Sequence, residues 1–215
     1  MTKSRSNATA PNAKGTLVVG SGTDASTTLA VGTDGYYLTA DSAEASGVKW
    51  AAASAGGMTL LGSGTLSGST VTLSSIPSTY VDLVIYVNSI VQNTTPEFVT
   101  LRLNNSTTNA AVTTIYSTSL GHNSPSGPVY IGSGDSAYRL NTTGANAFAI
   151  RITNYAAAKR KAIQGFGSYK YSTDVNQIGW HLYGGSTDEV AYDRIDIVTA
   201  AGNFTAGNYA IYGVK

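Results

Sequence analysis

Apolar residues follow two different patterns along this chain. From Met58 onward they recur with a period of two: Val81, Leu83, Ile85 and Val87 share one phase, and Val99, Leu101 and Leu103 share the next. Phe148, Ile150 and Ile152 alternate with Ala149, Arg151 and Thr153, while Ile178, Trp180 and Leu182 alternate with Gly179, His181 and Tyr183. Period two marks strands with one buried face. Ile195-Asp196-Ile197 and Tyr209-Ala210-Ile211-Tyr212 close the series, and no stretch carries a convincing helical period. Turn signals at Pro77, Asn104-Asn105, Gly121, Pro125-Ser126-Gly127-Pro128, Gly184-Gly185 and Gly202-Asn203 separate the runs. The expectation is an all-β protein in which residues 58–215 form an antiparallel, jelly-roll-like β-sandwich of eight to ten strands, long enough for a core of its own.

Before Met58 the apolar residues come in bursts of three. Leu17-Val18-Val19 ends in Gly20-Ser21-Gly22, Leu29-Ala30-Val31 ends in Gly32-Thr33-Asp34-Gly35, and Tyr36-Tyr37-Leu38 and Val48-Lys49-Trp50 follow. A burst this short cannot bury a face within one chain, so it gains stability by packing on a sister chain or a larger assembly. Residues 15–57 are therefore expected to be an extended, Gly/Thr-rich anchor or stalk, ending in a flexible Ala/Gly linker over 51–57. Leu17, Val18, Val19, Leu38 and Trp50 are its candidate anchoring side chains. Residues 1–14 carry Lys3, Arg5 and Lys14 with no acidic residue, and read as a polar basic arm that is disordered on its own.

Composition narrows the function classes. Only 12% of residues are charged, with 13 Lys+Arg against 12 Asp+Glu and a net charge of +1. That balance argues against nucleic-acid binding, which needs a basic surplus. A hydrophobic share of 42% excludes a wholly disordered chain. The absence of Cys removes disulfides, thiolate metal sites and a cysteine nucleophile. No apolar run approaches the roughly 18 residues of a membrane span, and the N-terminus lacks the apolar stretch of a signal peptide.

Little of the remaining chemistry points to catalysis. Gly20-x-Gly22-x-x-Ala25 and Gly132-x-Gly134-x-x-Ala137 imitate a dinucleotide fingerprint, but no helix start follows either one to hold a pyrophosphate. His122 reads as a loop residue and His181 lies on the less apolar phase of its strand; neither has a second ligand at metal spacing. Asp188, Glu189, Asp193 and Asp196 are the one acidic cluster. Paired carboxylates serve glycoside hydrolysis or calcium binding, whereas a solvated edge strand balanced by Arg194 is the plainer reading. The expectation is no enzyme activity, no cofactor and no metal. Lys159, Arg160 and Lys161 form a basic run at a hairpin tip, and tyrosines 155, 169, 171, 183 and 192 have faces that suit sugar rings. Lys159, Arg160, Lys161 and Tyr155 are the candidate contacts for a surface ligand such as a host glycan, with the Asn104–Thr108 and Ser124–Pro128 loops beside them.

The anchor segment also carries a resemblance. Lys14-Gly15-Thr16-Leu17-Val18-Val19-Gly20, Leu29-Ala30-Val31-Gly32-Thr33-Asp34-Gly35, Leu38-Thr39-Ala40-Asp41-Ser42 and Gly47-Val48-Lys49-Trp50 resemble, in order and spacing, a stretch common in tailed-bacteriophage fibre and related virion proteins. Ile76-Pro77-x-x-Tyr80-x-Asp82-Leu83, Leu101-Arg102-Leu103-Asn104, Asn203-Phe204-x-x-Gly207 and Ile211-Tyr212-Gly213 are similar, more loosely, to β-sandwiches of phage structural proteins. The resemblance implies a homotrimer in the virion, made in the bacterial host cytoplasm, with an N-terminal anchor and an outward tip. Its implied partners are its own copies, other virion proteins of capsid, neck or tail, and a host cell-surface glycan. Tail fibres are often long, so a chain with one strip and one sandwich fits a short tail fibre, a head fibre or a capsid decoration protein equally.

Overall fold

The computed structural model describes Pro11, residues 13–52, 57–94, 97–116, 119–132, Leu140, and residues 144–170 and 177–215. Residues 1–10 of the expected arm and 53–56 of the expected linker lie outside them. The chain divides into two compact units, Met1–Ala55 and Gly56–Lys215, with the break inside the Ala/Gly stretch.

Among the described residues the first unit has two hairpins, each a sheet of two strands. β1 (Leu17–Gly22) pairs antiparallel with β2 (Ala25–Leu29), and β3 (Tyr36–Ala40) pairs with β4 (Val48–Ala52), so Ala51 and Ala52 belong to a strand. The β3–β4 loop is closed by Asp41, whose backbone N–H donates to the Gly47 carbonyl at 2.9 Å and whose carboxylate pairs with Lys49. Between the hairpins the Trp50 indole N–H donates to the Ala30 carbonyl at 2.7 Å. The indole packs against Gly32, where an added Cβ would come within 2.5 Å of it. Only glycine admits that approach.

The second unit is an antiparallel β-sandwich. Its strands are β5 (Met58–Thr65), β6 (Thr70–Leu73), β7 (Asp82–Gln92), β8 (Val99–Leu103), β9 (Ala110–Tyr116), β10 (Ser119–Gly127), β11 (Val129–Ile131), β12 (Asn146–Ile152), β13 (Ala162–Lys170), β14 (Gln177–Ser186), β15 (Ile195–Thr199) and β16 (Phe204–Val214). Eight form one sheet in the order β10-β9-β14-β13-β12-β7-β16-β5, and four form the other in the order β11-β8-β15-β6. The alternating residues close the space between the sheets. Leu83, Ile85, Val87, Phe148, Ile150, Ile152, Trp180 and Leu182 face Val99, Leu101, Leu103, Ile195 and Ile197 across one buried cluster. Val81 is the exception to its phase: it precedes β7 and is half-exposed.

The twelve strands among the described residues exceed the expected eight to ten because several do not alternate. β10 contains His122 and Pro125, which read as loop and turn in the sequence. It lies at a sheet edge with an irregular register, where proline costs no ladder bond. β13 hides its pattern differently. Ile163, Gly165, Gly167 and Tyr169 point inward, and the two glycines leave room for neighbouring rings: a Cβ at Gly165 would lie 2.8 Å from Trp180, and one at Gly167 would lie 2.7 Å from Phe148. The large residue between them, Phe166, therefore faces out.

Candidate functional site

The anchor residues remain largely uncovered within the first unit. Leu17 and Val19 are half-buried, while Val18 and Leu38 are exposed along with Val31, Tyr36 and Tyr37. Consecutive exposure of Tyr36, Tyr37 and Leu38 means that β3 shows apolar surface on both faces. Trp50 differs from the other four, because it is held inside the unit by Ala30 and Gly32. Its role is to join the two hairpins.

The proposed ligand-binding cluster does not assemble. Lys159 and Arg160 are exposed, but Lys161 is only 2% exposed and Tyr155 is fully buried. The Lys161 ammonium donates to the carbonyls of Ala157 at 2.7 Å, Lys159 at 2.5 Å and Val190, and lies 4.6 Å from the centre of the Tyr192 ring. Three carbonyls and a ring face replace water around the cation, so it stays in the interior. Burial nevertheless pushes its pKa below the usual lysine value, against the pull of Asp188 and Glu189. The Tyr155 hydroxyl donates to the Pro77 carbonyl, and burial raises its pKa. These two residues tie the loop before β13 to the loops around Pro77 and Val190. They are structural, and a surface ligand reaches neither.

Three of the four acidic residues are likewise taken up singly. Asp188 accepts a hydrogen bond of 2.5 Å from the Tyr192 hydroxyl, whose pKa is raised first by burial and then by this bond. Glu189 sits 3.9 Å from Arg160 with both side chains exposed. Asp196 is fully buried, which overturns the reading of a solvated edge: β15 lies between β8 and β6. Its carboxylate accepts from Arg194 Nε at 2.9 and 3.0 Å and from Thr72 at 2.5 Å, and this pairing raises the Arg194 pKa. The carboxyl groups of Asp188, Glu189 and Asp196 thus each have a separate partner, while Asp193 is bonded through its main chain, its N–H donating to Asn104. The Asn104 side chain bridges Ala191, Asp193 and Arg194, so that loop serves as a brace. Tyr169 and Tyr192 are buried, Tyr183 is exposed, and Tyr171 lies outside the described residues. Among the described residues no three His, Cys, Asp or Glu side chains gather as a metal site.

A surface that none of these motifs signalled lies on the outer face of the eight-stranded sheet. Register places Tyr86 of β7, Ala149 of β12, Phe166 of β13 and His181 of β14 side by side in one row. Adjacent rows bring Asn88, Ala147 and Ser168 to one side, and Val84, Arg151 and Gln164 to the other. The small residues Ala147 and Ala149 form a floor between Tyr86 and Phe166, leaving two adjoining hollows of about 500 and about 420 Å³. Phe166 is 64% exposed, the most exposed of the large apolar side chains described. Tyr86 is steadied by an edge-to-face contact with Tyr212, ring centres 5.9 Å apart. Among the described residues lining the groove Arg151 alone is charged, and its Nε donates to Asp82 at 2.9 Å. The sequence signal was the Gly-Phe-Gly triplet at 165–167, which inverts the expected phase of a strand.

No protein-family model matches the chain and no curated protein matches it.

Proposed function

We propose that this chain is a non-enzymatic virion structural protein of a tailed bacteriophage, a short homotrimeric fibre docked on the particle through residues 1–57. The observation that supports this most is the contrast between the units. The hairpins of residues 13–52 leave Val18, Val31, Tyr36, Tyr37 and Leu38 uncovered, whereas the sandwich closes its own core. Two-stranded ribbons are marginal alone in water and gain stability against a further surface. Docking would add main-chain hydrogen bonds at the free hairpin edges and bury the apolar side chains on capsid, neck or tail proteins. The resemblance of residues 14–50 to fibre proteins points the same way. The test is deletion of residues 1–57: the remaining sandwich should fold but fail to co-sediment with particles. Continued incorporation would overturn the reading.

A second reading makes the sandwich a receptor-recognition tip, and the aromatic groove on its outer sheet favours it. Isolated full-length protein should then compete with particles for adsorption to host cells, and unimpeded adsorption would count against it. A capsid decoration protein differs from both in location, with the same docking segment seated on the shell.

A further inference from the structure

We infer that the outer-face groove between Tyr86 and Phe166 is a binding site for a neutral saccharide. This deepens the recognition reading and stands apart from the docking one. Exposed aromatic rings on a sheet also suit a second protein chain, so the polar lining decides the occupant. Asn88, Gln164 and His181 line the groove, and their side chains make no hydrogen bond to another described residue. Burial under a flat protein surface would strand these groups without partners. A sugar hydroxyl both donates and accepts, so it can satisfy an amide and an imidazole alike.

Charge narrows the class further. Arg151 is already paired with the Asp82 carboxylate, which also accepts the Asn154 N–H at 2.9 Å, and no other described lining residue is charged. A neutral groove gives no reward to an acidic sugar, a phosphate or a nucleic acid. Dimensions agree: Tyr86 and Phe166 stand two strands apart, about 10 Å between backbones, which admits one flat ring between two aromatic side chains. Along the strands the floor runs from Ala147 to Arg151, roughly 13 Å, enough for a disaccharide or trisaccharide. Phe166 supplies the apolar platform. Gln164 and Asn88 hold hydroxyls at its two ends.

The probe is an array of neutral hexose and N-acetylhexosamine oligosaccharides beside uronic-acid and sialylated ones, with ligand-observed NMR on the hits. Full-length protein should bind neutral members. Phe166→Ala should weaken them about tenfold or more and Gln164→Ala by several-fold. Arg160→Ala should leave affinity unchanged. Phe166 is mostly exposed, so its variant should keep the wild-type circular dichroism and thermal midpoint, which separates lost binding from lost folding. Binding confined to acidic glycans and abolished by Arg160→Ala would overturn the inference, as would neutral binding untouched by Phe166→Ala. A fall in oligomeric state in Phe166→Ala, seen by sedimentation with no glycan bound by the wild type, would assign the groove to a second copy and also overturn it. Competition for adsorption separates the two readings. Blocked adsorption without any saccharide binding keeps the receptor reading and sinks the groove, and saccharide binding without blocked adsorption does the reverse.

Discussion

The two units are built from the same element, the antiparallel hairpin, and differ in what lies on either side of it. In residues 13–52 four strands make two separate ribbons, and β3 leaves Tyr36, Tyr37 and Leu38 exposed in succession. In the sandwich every interior strand has a neighbour on both edges, and each sheet places one face against the other. The ribbons have main-chain pairing with little burial behind it. The sandwich has both, and apolar burial supplies most of the stabilisation of a fold. The contrast within the eight-stranded sheet is of the same kind on a smaller scale. Its inner face buries Trp180 and Phe148 under glycines, and the displaced bulk appears outside as Phe166.

The largest way to break this comparison is to empty the sandwich core. Trp180→Ala should cost about 3–5 kcal/mol by denaturant unfolding, since the indole is fully buried beside Phe148 at 5.2 Å between ring centres. A loss below about 1 kcal/mol would show that the inner face is not close-packed. Lys161→Met comes next. It keeps the apolar stem but leaves three carbonyls without their donor, and should cost about 1–3 kcal/mol. An unchanged midpoint would mean that the buried ammonium is dispensable.

Alkaline pH sharpens the same point. Tyr155 and Tyr192 have raised pKa values in the folded state, so above pH about 10 the unfolded chain loses protons that the native one keeps. The stability they contribute is complete below that pH and is lost as pH rises through their folded values. Lys161 has a lowered pKa and acts in the opposite sense just below its ordinary value of 10.5, but it is one proton against two. Stability should therefore fall above pH 10, and absorbance at 295 nm should show a late class among the 14 tyrosines that ionises with unfolding. Tyr192→Phe should shrink that slope; an unaltered slope would contradict the assignment.

The smallest effects separate the units. Trp50→Ala should loosen the two hairpins, read as faster amide exchange over residues 17–52, while moving the sandwich midpoint by less than about 0.5 kcal/mol. A large shift in that midpoint would mean that the two units unfold together. Arg160→Ala, which removes only an exposed 3.9 Å pair with Glu189, should change stability by about 0.5 kcal/mol at most.

How much was legible follows from burial. Strands β7, β12 and β14 alternate because each has one face in the core and one largely outside, and the pattern of Leu83 or Trp180 could be read directly. β10, β11 and β13 could not be found this way, being respectively a proline-bearing edge, a three-residue strand and a strand whose inward positions include glycines. Asp196 does face away from Ile195 and Ile197 as its phase predicts, but Arg194 and Thr72 cover it, so polarity did not mean exposure. Lys161 looked like the last of three solvated cations, yet carbonyls from two loops fold over it. One is its own preceding loop, with Ala157 and Lys159, and the other, with Val190, is distant in sequence and unannounced by anything local. Of the groove only Gly165-Phe166-Gly167 left a local signal: Tyr86, Ala149, Phe166 and His181 come from four strands and meet only through register.

The most direct measurement is immunogold electron microscopy of purified particles of the phage proposed to carry this protein, using an antibody raised against the sandwich. A docked fibre predicts gold on intact particles, at the tail for a tail fibre or over the head for a head fibre or decoration protein, and its loss when residues 1–57 are deleted. Absence of gold from intact particles, with an antibody that recognises the native protein, would contradict the virion assignment.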